Sequence, residues 1–136
     1  MAQWVGVGAV LILAIAAAVV FALEARRLPK KRARFADRES VPVLTIFDRY
    51  YESSGIPEPA FSKLWTRVAE ILRLDPTRLR PSDRLEVELA PVKGHISEDE
   101  TVALAEFYRE KCQFRGMANP PPAATLDDLV KTLLRQ

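Results

Sequence analysis

The sequence predicts a mostly α protein: one N-terminal transmembrane helix followed by a small helical bundle. Three observations carry this. Trp4 to Leu23 is an unbroken apolar run without a charge or a proline, later segments place apolar residues at helical spacing, and Pro, Gly and Ser clusters separate those segments. Residues 1–23 are expected as an anchor, 24–40 as a basic juxtamembrane linker and 41–136 as one small helical domain.

The apolar run is twenty residues long, and at about 1.5 Å per helical residue it reaches about 30 Å, the thickness of a bilayer's hydrocarbon core. Eleven of its residues are Val, Leu, Ile or Phe, which together favour insertion by about 5 kcal/mol. Only Met1, Ala2 and Gln3 precede it, whereas Arg26, Arg27, Lys30, Lys31, Arg32 and Arg34 follow, with Arg38 just beyond. Positive charge marks the cytoplasmic side, so the N-terminus is expected outside and the domain in the cytoplasm of a single-pass protein of a bacterial inner membrane. Trp4 suits the headgroup layer at the outer end. A cleaved signal peptide is the competing reading of Ala14 to Ala18, but such a signal carries its positive charge before the apolar run. Gly6 and Gly8 begin a dinucleotide-like pattern whose third glycine position holds Leu11, so that motif is rejected. Gly6, Ala14, Ala18 and Ala22 share one helix face, where a second copy could approach to form a homodimer.

Charge is unevenly spread. Residues 24–40 hold seven basic and three acidic side chains, and residues 41–136 hold thirteen basic and fifteen acidic ones. The basic cluster is explained by topology and by attraction to anionic lipid, and the acidic balance of the domain argues against nucleic-acid binding. Cys112 is the single cysteine, which suits a reducing compartment, and with His95 alone it lacks metal-ligand spacing.

Within the domain, Val43, Phe47 and Tyr50 predict a short helix stopped by Ser53-Ser54-Gly55. Phe61, Leu64, Trp65, Val68, Ile71 and Leu72 trace one face of the clearest helix, which Asp75-Pro76 is expected to end. Leu85, Val87 and Leu89 alternate with Glu86 and Glu88, which fits either a half-buried strand or a turn of helix. Ser97-Glu98-Asp99-Glu100 reads as a capping box opening a helix whose buried face is expected at Val102, Ala105, Tyr108 and Cys112, flanked by Leu104 and Phe107. Gly116 and Pro120-Pro121-Pro122 break the chain before a last helix begun by Thr125, with Leu126, Leu129, Val130 and Leu133 inward.

This order resembles the acyl carrier protein fold over roughly residues 61–134. The most similar run is Val68 to Leu85, with Leu74, Leu79 and Leu85 where the family sets the apolar residues of its long loop, and Thr125 to Leu129 looks like the start of the family's last helix. The family attaches phosphopantetheine at the serine of an Asp-Ser-Leu sequence. Here the corresponding helix begins Ile96-Ser97-Glu98, which lacks that motif. The resemblance therefore implies either a carrier fold without the cofactor or, as the alternative, a membrane-anchored acyl or aminoacyl carrier modified at Ser97. Its implied contact surface for a protein partner is the acidic turn Glu98, Asp99 and Glu100. His95 has no acid fixed to orient it and no oxyanion site accompanies it, so the expected function is a non-enzymatic interaction or accessory domain held at the cytoplasmic face.

Overall fold

The computed structural model describes residues 2–90 and 100–135, and within the first helix the side chains of 9–22 and of 32 onward. Five helices follow one another: α1 (Ala2–Ala33), α2 (Val43–Tyr50), α3 (Glu58–Leu72), α4 (Glu100–Phe114) and α5 (Leu126–Leu134), with no strand among the described residues. α3 is the hub. It packs against α2, α4 and α5, and α4 also meets α5.

α1 continues past the expected apolar run, through Pro29, to Ala33. Among the described residues no helix is long and apolar enough to cross a membrane. The expected span, Trp4 to Leu23, extends at both ends past the fourteen residues, 9–22, whose side chains are described on α1. The chain then turns, and Phe35 is 3% exposed, so the last part of the expected linker belongs to the packed unit.

α2 buries Ile46 and Phe47, with Tyr51 just beyond its end, while Tyr50 is 52% exposed. The expected Val43, Phe47 and Tyr50 face is therefore rotated by one residue at its C-terminal end, because Tyr51 packs against α3. Its ring centroid lies 4.8 Å from Phe61, which also touches Phe47 at 5.4 Å and Trp65 at 5.3 Å. α3 starts with Pro59 in its first turn and buries Phe61, Leu64, Trp65, Val68, Ala69 and Leu72. It ends at Leu72 rather than at Asp75-Pro76. Arg73 takes the left-handed conformation (φ 54°), and the Leu74 N–H donates to the Ala69 carbonyl at 3.0 Å, closing the helix before the proline is reached.

The loop from 73 to 90 is packed along its length. Leu74, Leu79 and Leu89 are buried, Leu85 is half-buried, and the Trp65 Nε1–H donates to the Pro76 carbonyl at 2.9 Å. Residues 85–89 form turns, not a strand, and Leu89 N–H donates back to Arg84 O at 3.2 Å. An isolated antiparallel bridge joins Arg84 to Thr125, and Leu126 N–H donates to Asp83 O at 3.1 Å, which fastens the loop to the start of α5. There Thr125 and Asp128 form a reciprocal capping box, and Leu126, Leu129, Val130 and Leu133 point inward as expected.

α4 departs furthest from expectation. Leu104 and Cys112 are its buried apolar residues, Phe107 and Tyr108 are half-buried, and Val102 and Ala105 face outward. Apolar residues occur on most sides of this helix, so its orientation is set by α3 and α5, not by its own periodicity.

Candidate partner-binding groove

α5 is shorter than α3 and α4, and where the three meet a groove of about 900 Å³ lies on one side of the bundle. Its floor is apolar: Leu64 from α3, Phe107 from α4, and Leu133 and Leu134 from α5. Leu64 and Leu133 are 9% and 8% exposed, so they lie recessed. At the end of α4 stands Phe114, 91% exposed, the most exposed large apolar side chain among the described residues.

The walls are basic. Lys63 and Arg67 come from successive turns of α3, and Lys111 lies one turn before Phe114 with its Nζ 5.7 Å from the centre of the Phe107 ring. Arg67 meets Glu70 at 3.3 Å in an exposed i,i+3 pair, which leaves both groups largely hydrated. Arg115 also lines the groove, but its guanidinium is engaged structurally. It donates to the carbonyls of Thr132, Leu133 and Arg135, satisfying the open end of α5.

A second cleft, of about 840 Å³, is lined by residues from the end of α1 and from the C-terminal part of α3, with Arg32, Arg73 and Arg78 among them. Its cations are partly engaged. Arg32 Nε approaches the Arg73 carbonyl at 3.5 Å, and Arg78 donates to the carbonyls of Phe35 and Ala36 at 3.2 and 2.8 Å.

The residues singled out from sequence are scattered. Ser97, His95, Glu98 and Asp99 lie outside the described residues, as do the side chains of Arg26, Arg27, Lys30 and Lys31. Glu100 opens α4 and is buried at 6% exposure. Arg32 and Arg34 are exposed, and Arg34 donates to the Ala90 carbonyl at 2.6 Å, tying the chain just after α1 to the far end of the long loop. Cys112 is fully buried, in the core position its register suggested. Among the described residues no three His, Cys, Asp or Glu side chains gather as a metal site.

Sequence reasoning missed Lys63, Arg67 and Phe114. The available signal was that Phe114 falls outside the inward stripe of Leu104, Tyr108 and Cys112 while basic residues recur at positions 63 and 67. Recognising a groove in that pattern requires knowing which helices are neighbours. No family model matches the chain, and no curated protein or solved structure matches it either.

Proposed function

We propose that the chain is a non-enzymatic, membrane-tethered interaction domain, in which α1 spans the bilayer and the α2 to α5 unit is held at the cytoplasmic face to bind another protein. The observation that carries the tether is the surface of α1. Val10, Leu11, Ile12 and Leu13 occupy four successive positions, hence every side of one helical turn, and each is between 61% and 70% exposed. A helix that is apolar all round needs either a protein core or lipid to cover it, and among the described residues no other helix packs on α1. Lipid supplies that cover, and the uncharged residues flanking 9–22 in the sequence extend the run to bilayer length.

The excess of basic residues Arg26, Arg27, Lys30, Lys31, Arg32 and Arg34 after the apolar run sets the orientation in this reading. We also propose an acyl-carrier-like fold for residues 61–134, on apolar spacing alone, which suits an interaction module rather than a catalyst. Burial of Glu100 makes the groove, ahead of the acidic turn, the first surface to test.

Alkaline washing of membranes carrying the full chain tests the tether. Retention in the pellet is expected, with loss of retention in Ile15→Arg, and protease should reach the domain in inverted vesicles but not in right-side-out ones. Release of the unaltered chain by the wash would overturn the reading. The intact mass from native membranes tests the non-carrier part: the unmodified mass is expected, and the added mass of a phosphopantetheine arm on Ser97 would replace this function with that of a carrier.

A further inference from the structure

We infer that the groove between α3, α4 and α5 receives an amphipathic helix of a partner protein whose apolar ridge is flanked by acidic side chains. The inference deepens the interaction reading above and rests on it. Three features point to this occupant.

The first is shape. The floor residues Leu64 and Leu133 are recessed below walls formed by two helices, so the site is concave and elongated along α3. A ridge of side chains at i, i+3, i+4 and i+7 on a helix can reach such a floor. A flat lipid surface cannot reach it.

The second is charge. Residues 41–136 carry more acidic than basic side chains, yet Lys63, Arg67 and Lys111 converge on this groove against Glu70 as its single acid, itself shared with Arg67. The basic walls are thus local, set against the average of the domain, and they select acidic flanks and reject basic ones.

The third is Phe114. Its ring, almost wholly in water at the groove's end, is the kind of aromatic anchor that docking desolvates, next to a floor already close-packed from below.

A photo-crosslinking phenylalanine analogue placed at position 114 of the full chain, in native membranes, tests the proposal. Exposure at this position leaves the core untouched, so the substituted chain folds. The expected result is a crosslink to a segment of another protein that mass spectrometry shows to have helix-spaced apolar residues bordered by Asp or Glu. Its yield should fall about tenfold in Lys63→Glu/Lys111→Glu, and recover when the acids of the crosslinked segment are changed to Lys. Crosslinks to lipid alone, to a second copy of this chain, or to nothing would overturn the proposal, as would a crosslinked segment without acidic flanks. The same analogue at Val87, which is 51% exposed and borders a different cleft, separates the two readings. Protein crosslinks from position 87 but not 114 would retain an interaction domain and reject this groove, whereas none from either would reject both.

Discussion

The Arg38 guanidinium grips the Asp83 carboxylate with both prongs, Nη1 to Oδ2 at 2.8 Å and Nη2 to Oδ1 at 2.7 Å. Asp83 is 2% exposed, and its Oδ2 also accepts from the Arg80 backbone N–H at 2.8 Å. Arg38 stacks over Phe35 with its guanidinium carbon 4.7 Å from the ring centre, and its protonated form is favoured first by the Asp83 hydrogen bond. One partner lies just after α1 and the other in the loop before α4, so the pair clamps the exit of α1 to the body of the domain. Val41 N–H reinforces it by donating to Thr77 O at 2.9 Å. The segment that follows α1 is therefore packed into the domain.

Asp83→Ala should be among the most damaging single changes. It strands a partly buried guanidinium and an unpaired Arg80 N–H, at a cost of about 2–4 kcal/mol. Urea unfolding of the full chain in mild detergent, followed by Trp65 emission in a Trp4→Phe background, would show a lowered midpoint. A shift no larger than that of an exposed control such as Asp48→Ala would refute the clamp.

Tyr51 joins α2 to α5 through its hydroxyl, which donates to Asp127 Oδ1 at 2.8 Å. Burial first, and then this hydrogen bond, push the phenol well above its ordinary 10.0. Spectrophotometric titration should find a tyrosine that does not ionise until the protein unfolds in alkali, and Tyr51→Phe should remove that late step while costing about 1 kcal/mol of stability.

Glu88 accepts from the backbone N–H and the guanidinium of Arg84, and these hydrogen bonds lower its carboxyl to about 2 from an ordinary 4.5. A folded-state value below the unfolded one means a contribution present above the unfolded value and lost as pH falls toward the folded one. Stability should therefore decline between about pH 4.5 and 2. Glu88→Gln should flatten part of that decline in acid unfolding curves, and an unchanged slope would count against the Arg84 contact. Asp75, lowered by the Thr77 hydroxyl and N–H, contributes in the same direction.

Arg73 closes α3 at φ 54°, a conformation that costs an L-residue about 1 kcal/mol and glycine little. Its contact with Arg32 uses the main-chain carbonyl, which any residue supplies. Arg73→Gly should add up to about 1 kcal/mol of stability and so raise the unfolding midpoint slightly, and a fall in the midpoint would show that the arginine side chain has a role of its own.

Cys112 is fully buried between α4 and the rest of the core. Its alkylation by a water-soluble thiol reagent should be slow in the native state and fast in urea. Rapid native modification would show that α4 opens locally on the timescale of the reagent.

The faces of α3 and α5 were legible because each carries one complete apolar stripe, Phe61 to Leu72 and Leu126 to Leu133, against charged residues elsewhere. α4 was not, since Val102, Leu104, Ala105, Phe107 and Phe114 point round most of its circumference and only contact with α3 and α5 selects among them. The same holds for Tyr50 and Tyr51: adjacent, chemically alike, and separated only by which one reaches Phe61 and Asp127.

By itself the sequence determined the order of the four described helices of the domain, the buried stripes of two of them, the break after α4 at Gly116, and the long uncharged apolar run of α1. These depend on local periodicity and backbone preference, which act within a few turns of chain. Tertiary structure alone decided that residues 85–89 turn instead of extending, that Arg38 seeks Asp83, and that Lys63, Arg67, Lys111 and Phe114 share one groove. Each of those outcomes joins residues from separate elements, where the energy comes from burial and pairing across the fold and leaves no mark on the spacing of any one segment.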